Sequence, residues 1–62
     1  MNTACLVRLV WRAMEDCGVT ERDLALAGGL IWLDTLEDDD ACHEDVIWAA
    51  RHIAEWLVSV VA

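Results

Sequence analysis

The chain has no proline, phenylalanine or tyrosine, only three glycines and only four basic residues, all of them arginine. Without proline, nothing forbids long helices from inside, and the few glycines become the natural break points. With so few cations against twelve carboxylates, the formal net charge is −8. That excludes nucleic acid as a direct ligand, because phosphate binding needs a basic footprint. It equally disfavours an anionic membrane surface. No run approaches the roughly 18 apolar residues that a membrane span requires. Arg8 and Arg12 interrupt the first apolar run, so no signal peptide is expected. Three cysteines, Cys5, Cys17 and Cys42, are an odd number at irregular spacing, not a disulfide framework. A reducing cytoplasm is the expected compartment.

What remains is apolar. Hydrophobic residues make up 58% of 62, above the roughly 45–50% of ordinary domains, which excludes a disordered chain. Residues 1–62 are read as one domain. At this size folding buries only about 60% of the unfolded chain's surface, so stability is marginal without a staple or a partner. The surplus of apolar residues points to some covering a partner or a second copy.

Four helical segments are legible. Asn2 or Thr3 can cap a first helix, running to about Cys17, whose apolar positions Leu6, Leu9, Val10, Ala13, Met14 and Cys17 recur at steps of three and four. That stripe, widened by Val7 and Trp11, exceeds the about 100° a surface helix needs, so cover on two sides is expected. Gly18 is a natural left-handed stop. Thr20 is an N-cap with Asp23 at the capping-box position, and Val19 and Leu24 are placed as a hydrophobic staple. A helix therefore begins at Glu21 and meets Gly28-Gly29 after about two turns, where each glycine costs roughly 1 kcal/mol in a helix interior. The pair could instead form a two-residue hairpin turn, but its flanks lack clean alternation and β-branched residues. Leu30-Ile31-Trp32-Leu33 restarts the apolar run. The last helix spans about Ala41 to Val60, capped by Asp38, Asp39 or Asp40. Val46, Ala50, Ile53, Leu57 and Val60 form a coiled-coil-like seam. The expected fold is all-α: a small three-to-four-helix bundle with the middle helix broken at Gly28-Gly29.

Seven carboxylates fall between Asp34 and Asp45: Asp34, Glu37, Asp38, Asp39, Asp40, Glu44 and Asp45, with no cation among them. They repel one another and lower stability. They serve either as a solvated connector and helix cap, or as a surface that docks onto arginines and lysines. A calcium loop beginning at Asp38 fails, because His43 stands where glycine is needed and Ala49 where the bidentate Glu belongs. Cys42, His43 and His52 lack the spacing of a zinc site. Adjacent Cys42 and His43 point about 100° apart, so they do not make a nucleophile pair. No cofactor, metal or catalytic set is expected, and the chain is read as a non-enzyme.

Trp11, Trp32, Trp48 and Trp56 are the only aromatics. Trp32 and Trp56 fit a core. Trp48 falls amid Glu44, Arg51, His52 and Glu55, where it either anchors a partner, lies against Arg51, or is covered by the first helix. Trp11, at the rim of its helix, is a weaker second anchor.

The segment from Thr20 to Leu36, a capped helix with Asp-Leu-Ala, a glycine turn and a second helix, resembles the helix–turn–helix of DNA-binding repressors. It departs from that pattern where base-reading Arg, Lys, Asn or Gln would stand, carrying Asp34, Glu37 and Asp38 instead. In size, charge and lack of catalytic residues the chain resembles the small acidic inhibitors that phages and mobile elements encode against restriction or CRISPR machinery. The resemblance implies a DNA mimic whose partner is a larger protein with a basic surface, engaged through the seven carboxylates and Trp48. The other readings are a self-associating structural or regulatory subunit, a homodimer in the simplest case, and an antitoxin neutralising a basic toxin.

Overall fold

The structure, a computed structural model, describes residues 2–62. It is all-α: α1 (Thr3–Asp16), α2 (Glu21–Leu26), α3 (Leu30–Glu37) and α4 (His43–Val61). α1 begins where Asn2 Oδ1 accepts the Cys5 N–H at 2.8 Å. It ends in a Schellman motif. Gly18, at φ 70°, donates to Glu15 O, and Val19 donates to Met14 O, both at 3.0 Å. These bonds satisfy carbonyls that the helix end would otherwise orphan.

Thr20 then starts α2 with a complete capping box. The Asp23 N–H donates to Thr20 Oγ1 at 3.2 Å, and Asp23 Oδ2 accepts the Thr20 N–H at 2.8 Å. Aspartate thus closes the box that Glu or Gln closes elsewhere. The Thr20 N–H foremost, then the Thr20 hydroxyl, which donates to Asp23 Oδ2 at 3.0 Å, and least the Arg22 charge hold the Asp23 carboxyl below its ordinary titration range. A folded carboxyl with a depressed pKa stabilises above its unfolded pKa of about 3.9, and that contribution disappears as pH falls through the folded value. Thr20→Ala removes about 1 kcal/mol, which lowers the melting temperature by about 4–8 °C in a domain of this size. Melting curves at neutral pH check this, and the difference between variant and parent shrinks as Asp23 becomes protonated.

The glycine pair splits the middle helix outright. A second Schellman motif closes α2: Gly28, at φ 89°, donates to Ala25 O at 3.0 Å, and Gly29 donates to Leu24 O at 2.9 Å. Gly29 is also the N-cap of α3. No hairpin forms at this position.

α4 packs on α1 and α3, and α2 packs on α3. Thr3 at the start of α1 bonds His43 at the start of α4, Thr3 Oγ1 to His43 Nδ1 at 2.8 Å. The core holds Val10 and Met14 from α1, Leu24 from α2, Leu33 and Leu36 from α3, and Val46, Ala49, Ala50, Ile53 and Leu57 from α4. Among the described residues no polar or charged side chain is buried.

Three expectations need correction. α4 starts at His43 with Cys42 as N-cap and no side-chain cap bond, so no aspartate caps it. The seam ends at Leu57, because every residue beyond it is exposed and the last turn of α4 stands clear of the core. Ala49, fully buried, takes the place expected of Val60. And α1 is not covered on two sides, since Leu9 is 51% exposed. Among the described residues no helix is long and apolar enough to cross a membrane.

Candidate functional site

The acidic stretch is built from the end of α3, a turn and the start of α4. Leu33 and Leu36 face the core, so Asp34 and Glu37, each one residue on and three apart, share an outward side of α3. Both are exposed. The chain then leaves the helix at Asp38. Asp38 Oδ1 accepts the Asp40 N–H at 2.9 Å, and Asp38 O accepts the Ala41 N–H at 3.1 Å. The side chain mimics a backbone turn, which is what aspartate does best outside helices. Ala41 packs half-buried against the core and pins the far side of this turn. Asp39 and Asp40 occupy its exposed middle. Glu44 and Asp45 lie in the first turn of α4, where the helix's positive end favours them.

All seven carboxylates are therefore exposed, and they occupy the pole where α3 turns into α4. The Thr3–His43 bond ties the start of α1 to the same pole. A cavity of about 420 Å³ opens there, with Arg8 of α1 lining it beside Asp38 and Asp39. Arg8 offsets part of the charge on that flank.

Trp48 lies within the same α4 surface as Glu44 and Asp45, and 44% of it is exposed. That exposure leaves it uncovered by α1. Its ring meets His52 edge-on, 4.7 Å between centroids at 65°. His52 in turn stacks on Trp32 of α3, 5.1 Å away and only 12° from parallel. Edge-on and stacked aromatic pairs at these separations are attractive. The three rings form one assembly that bridges α3 and α4 and holds Trp48 in a defined orientation. His52 was absent from the sequence-derived site. The four-residue step from Trp48 to His52 is the signal that could have found it, whereas the Trp32 contact is long-range. Trp11 is half-buried and packs against the core, as do Trp32 and Trp56.

The metal and nucleophile candidates lie apart. Cys42 is exposed at the N-cap of α4. His43 is engaged by Thr3, and His52 sits between two indoles. Cys17 packs against the core, while Cys5 lines the outer surface of α1 with Arg8, Arg12 and Glu15. Among the described residues no three of His, Cys, Asp and Glu gather closely enough to hold a metal ion. In comparisons with known proteins, no family model, no curated protein and no solved structure matches this chain.

Proposed function

We propose that this protein is a non-enzymatic binding module whose acidic pole docks onto a basic surface of a larger protein. Where that surface ordinarily holds nucleic acid, occupancy inhibits it, in the manner of a phage-encoded anti-restriction or anti-CRISPR DNA mimic. The observation that carries the reading is the presentation of the charge. Asp34, Glu37, Asp38, Asp39, Asp40, Glu44 and Asp45 are all exposed, and all are mounted on two helix ends and a hydrogen-bonded turn. Charges held on fixed backbone lose little conformational entropy on docking, so more of their attraction survives as affinity. Trp48 adds a large half-exposed ring alongside them, the residue type most enriched at interface hot spots.

The test is neutralisation at constant shape. Asp38→Asn, Asp39→Asn and Asp40→Asn together retain the turn's acceptor at Asp38 and remove three charges. Three exposed ion pairs at about 0.2–1 kcal/mol each come to about 0.6–3 kcal/mol, so affinity for a basic protein captured from the source cells falls roughly 3- to 150-fold, with the helical circular dichroism unchanged. Wild-type affinity also declines as salt rises, since exposed charges are screened over about 10 Å at 0.1 M. Full affinity in the triple variant removes the proposal.

A further inference from the structure

Of the four indoles, Trp48 is the one the fold presents. Trp11, Trp32 and Trp56 are half-buried and pack against the core, whereas Trp48 is 44% exposed. It is also braced. His52 meets its ring edge-on at 4.7 Å and is itself stacked on Trp32 at 5.1 Å. A ring held this way has little rotamer freedom left to lose when something covers it.

Charge decides what covers it. At about 100° per residue, Glu44 lies about 40° to one side of Trp48 on α4 and Asp45 about 60° to the other, each one turn nearer the helix start. Helical side chains lean toward that start, so the indole lies over the turn that carries both carboxylates, with His52 behind it. Both carboxylates are exposed. Glu55, two turns on, falls within about 20° of Trp48 and is exposed as well. The one arginine of α4, Arg51, lines the groove between α1 and α4. An apolar cover would strip water from Glu44 and Asp45 and return nothing. An anion would be repelled. A cation satisfies the ring and the carboxylates together.

We infer that Trp48, flanked by Glu44 and Asp45, stacks an arginine side chain of the partner. This rests on the docking proposed above and names what the basic surface must present beside the acidic pole. Arginine fits and lysine does not, for a geometric reason. A guanidinium is planar. Its face takes the indole, while the N–H donors around its edge stay free for carboxylates on either side. An ammonium has no separate face and edge. It is also the more strongly hydrated of the two, so it gives up more on leaving water.

Isothermal titration calorimetry at low ionic strength, with hexa-arginine and hexa-lysine as equally charged probes, tests the inference. The parent binds hexa-arginine about fivefold more tightly than hexa-lysine. Trp48→Leu removes most of that preference and leaves the hexa-lysine affinity where it was, with the helical circular dichroism intact. Trp48→Phe, which keeps a smaller ring, falls between the two. The triple change Asp38→Asn, Asp39→Asn and Asp40→Asn weakens both peptides by the same factor, so the preference persists while the docking charge falls. Equal affinities in the parent, or a preference that Trp48→Leu leaves whole, overturns the stacking site and leaves the acidic pole standing. Undiminished binding of both peptides by the triple variant is the opposite result, and removes the docking on which the stacking site rests. No saturable binding of either peptide overturns both.

Discussion

Ile53→Ala leaves most of the chain unfolded at 25 °C, whereas Val60→Ala changes stability by no more than about 0.5 kcal/mol. The two residues occupy equivalent places in the seven-residue repeat, yet Ile53 is fully buried and Val60 is 46% exposed. Truncating a buried isoleucine to alanine loses its transfer energy and opens a cavity, together about 2–5 kcal/mol. A single core in a chain this short rarely supplies more than about 3–5 kcal/mol in total. The loss is therefore as large as the reserve. α4 is also the element that packs on both α1 and α3, so slackness at Ile53 loosens both contacts and no second core compensates. Urea titration followed by circular dichroism checks both variants. An Ile53→Ala midpoint equal to that of the parent would contradict this account of the core.

The features legible in the sequence were those whose hydrogen bonds close within a few residues. The Thr20–Asp23 box and the Gly18 stop each span three to five positions, and residue type at fixed offset is all they require. The start of α4 depended on competition instead. Asp38 can cap a helix or close a turn. Its side chain bonds the Asp40 N–H, which commits it to the turn and moves the helix start to His43. The inner face of α4 was legible only in part. A seven-residue repeat drifts about 20° per heptad on a straight helix. Two flanking helices, moreover, bury a wider arc than one seam. Ala49 consequently turns inward, and Ile47 and Val58 remain outside. The Trp32–His52 stack joins residues twenty positions apart and leaves no local trace.

The acidic pole shows the same division. That its carboxylates would be solvated follows from the cost of burying charge, and all seven are exposed. How they are held was not legible, because Asp38 can either cap a helix or close a turn through the Asp40 N–H, and only the Ala41 anchor, which arises from tertiary packing, goes with the turn.

Gly29→Ala destabilises the protein by about 1–3 kcal/mol through overpacking, and Gly28→Ala by about 1–2 kcal/mol through backbone strain alone. The two neighbours do different work. Gly28 adopts φ 89°, and a Cβ there would meet nothing within 4 Å. Only its backbone conformation demands glycine. Gly29 has an ordinary φ of −92°, but a Cβ there would come within 2.5 Å of Leu24 Cδ1, 2.6 Å of Leu24 Cγ and 2.9 Å of Trp32 Cε3. Leu24 is fully buried and cannot swing into solvent. Trp32 is committed to its stack with His52. The added methyl therefore displaces either the core or the aromatic assembly that orients Trp48. Double-mutant cycles separate the mechanisms, because residues in contact are not additive. Leu24→Ala, costly alone, vacates the space the methyl needs, so Leu24→Ala/Gly29→Ala is less destabilised than the sum of the single changes. Leu24→Ala/Gly28→Ala is simply additive. Equal coupling in both cycles would mean that the close approach of Gly29 to Leu24 has no energetic role, and that both glycines serve only to turn the chain.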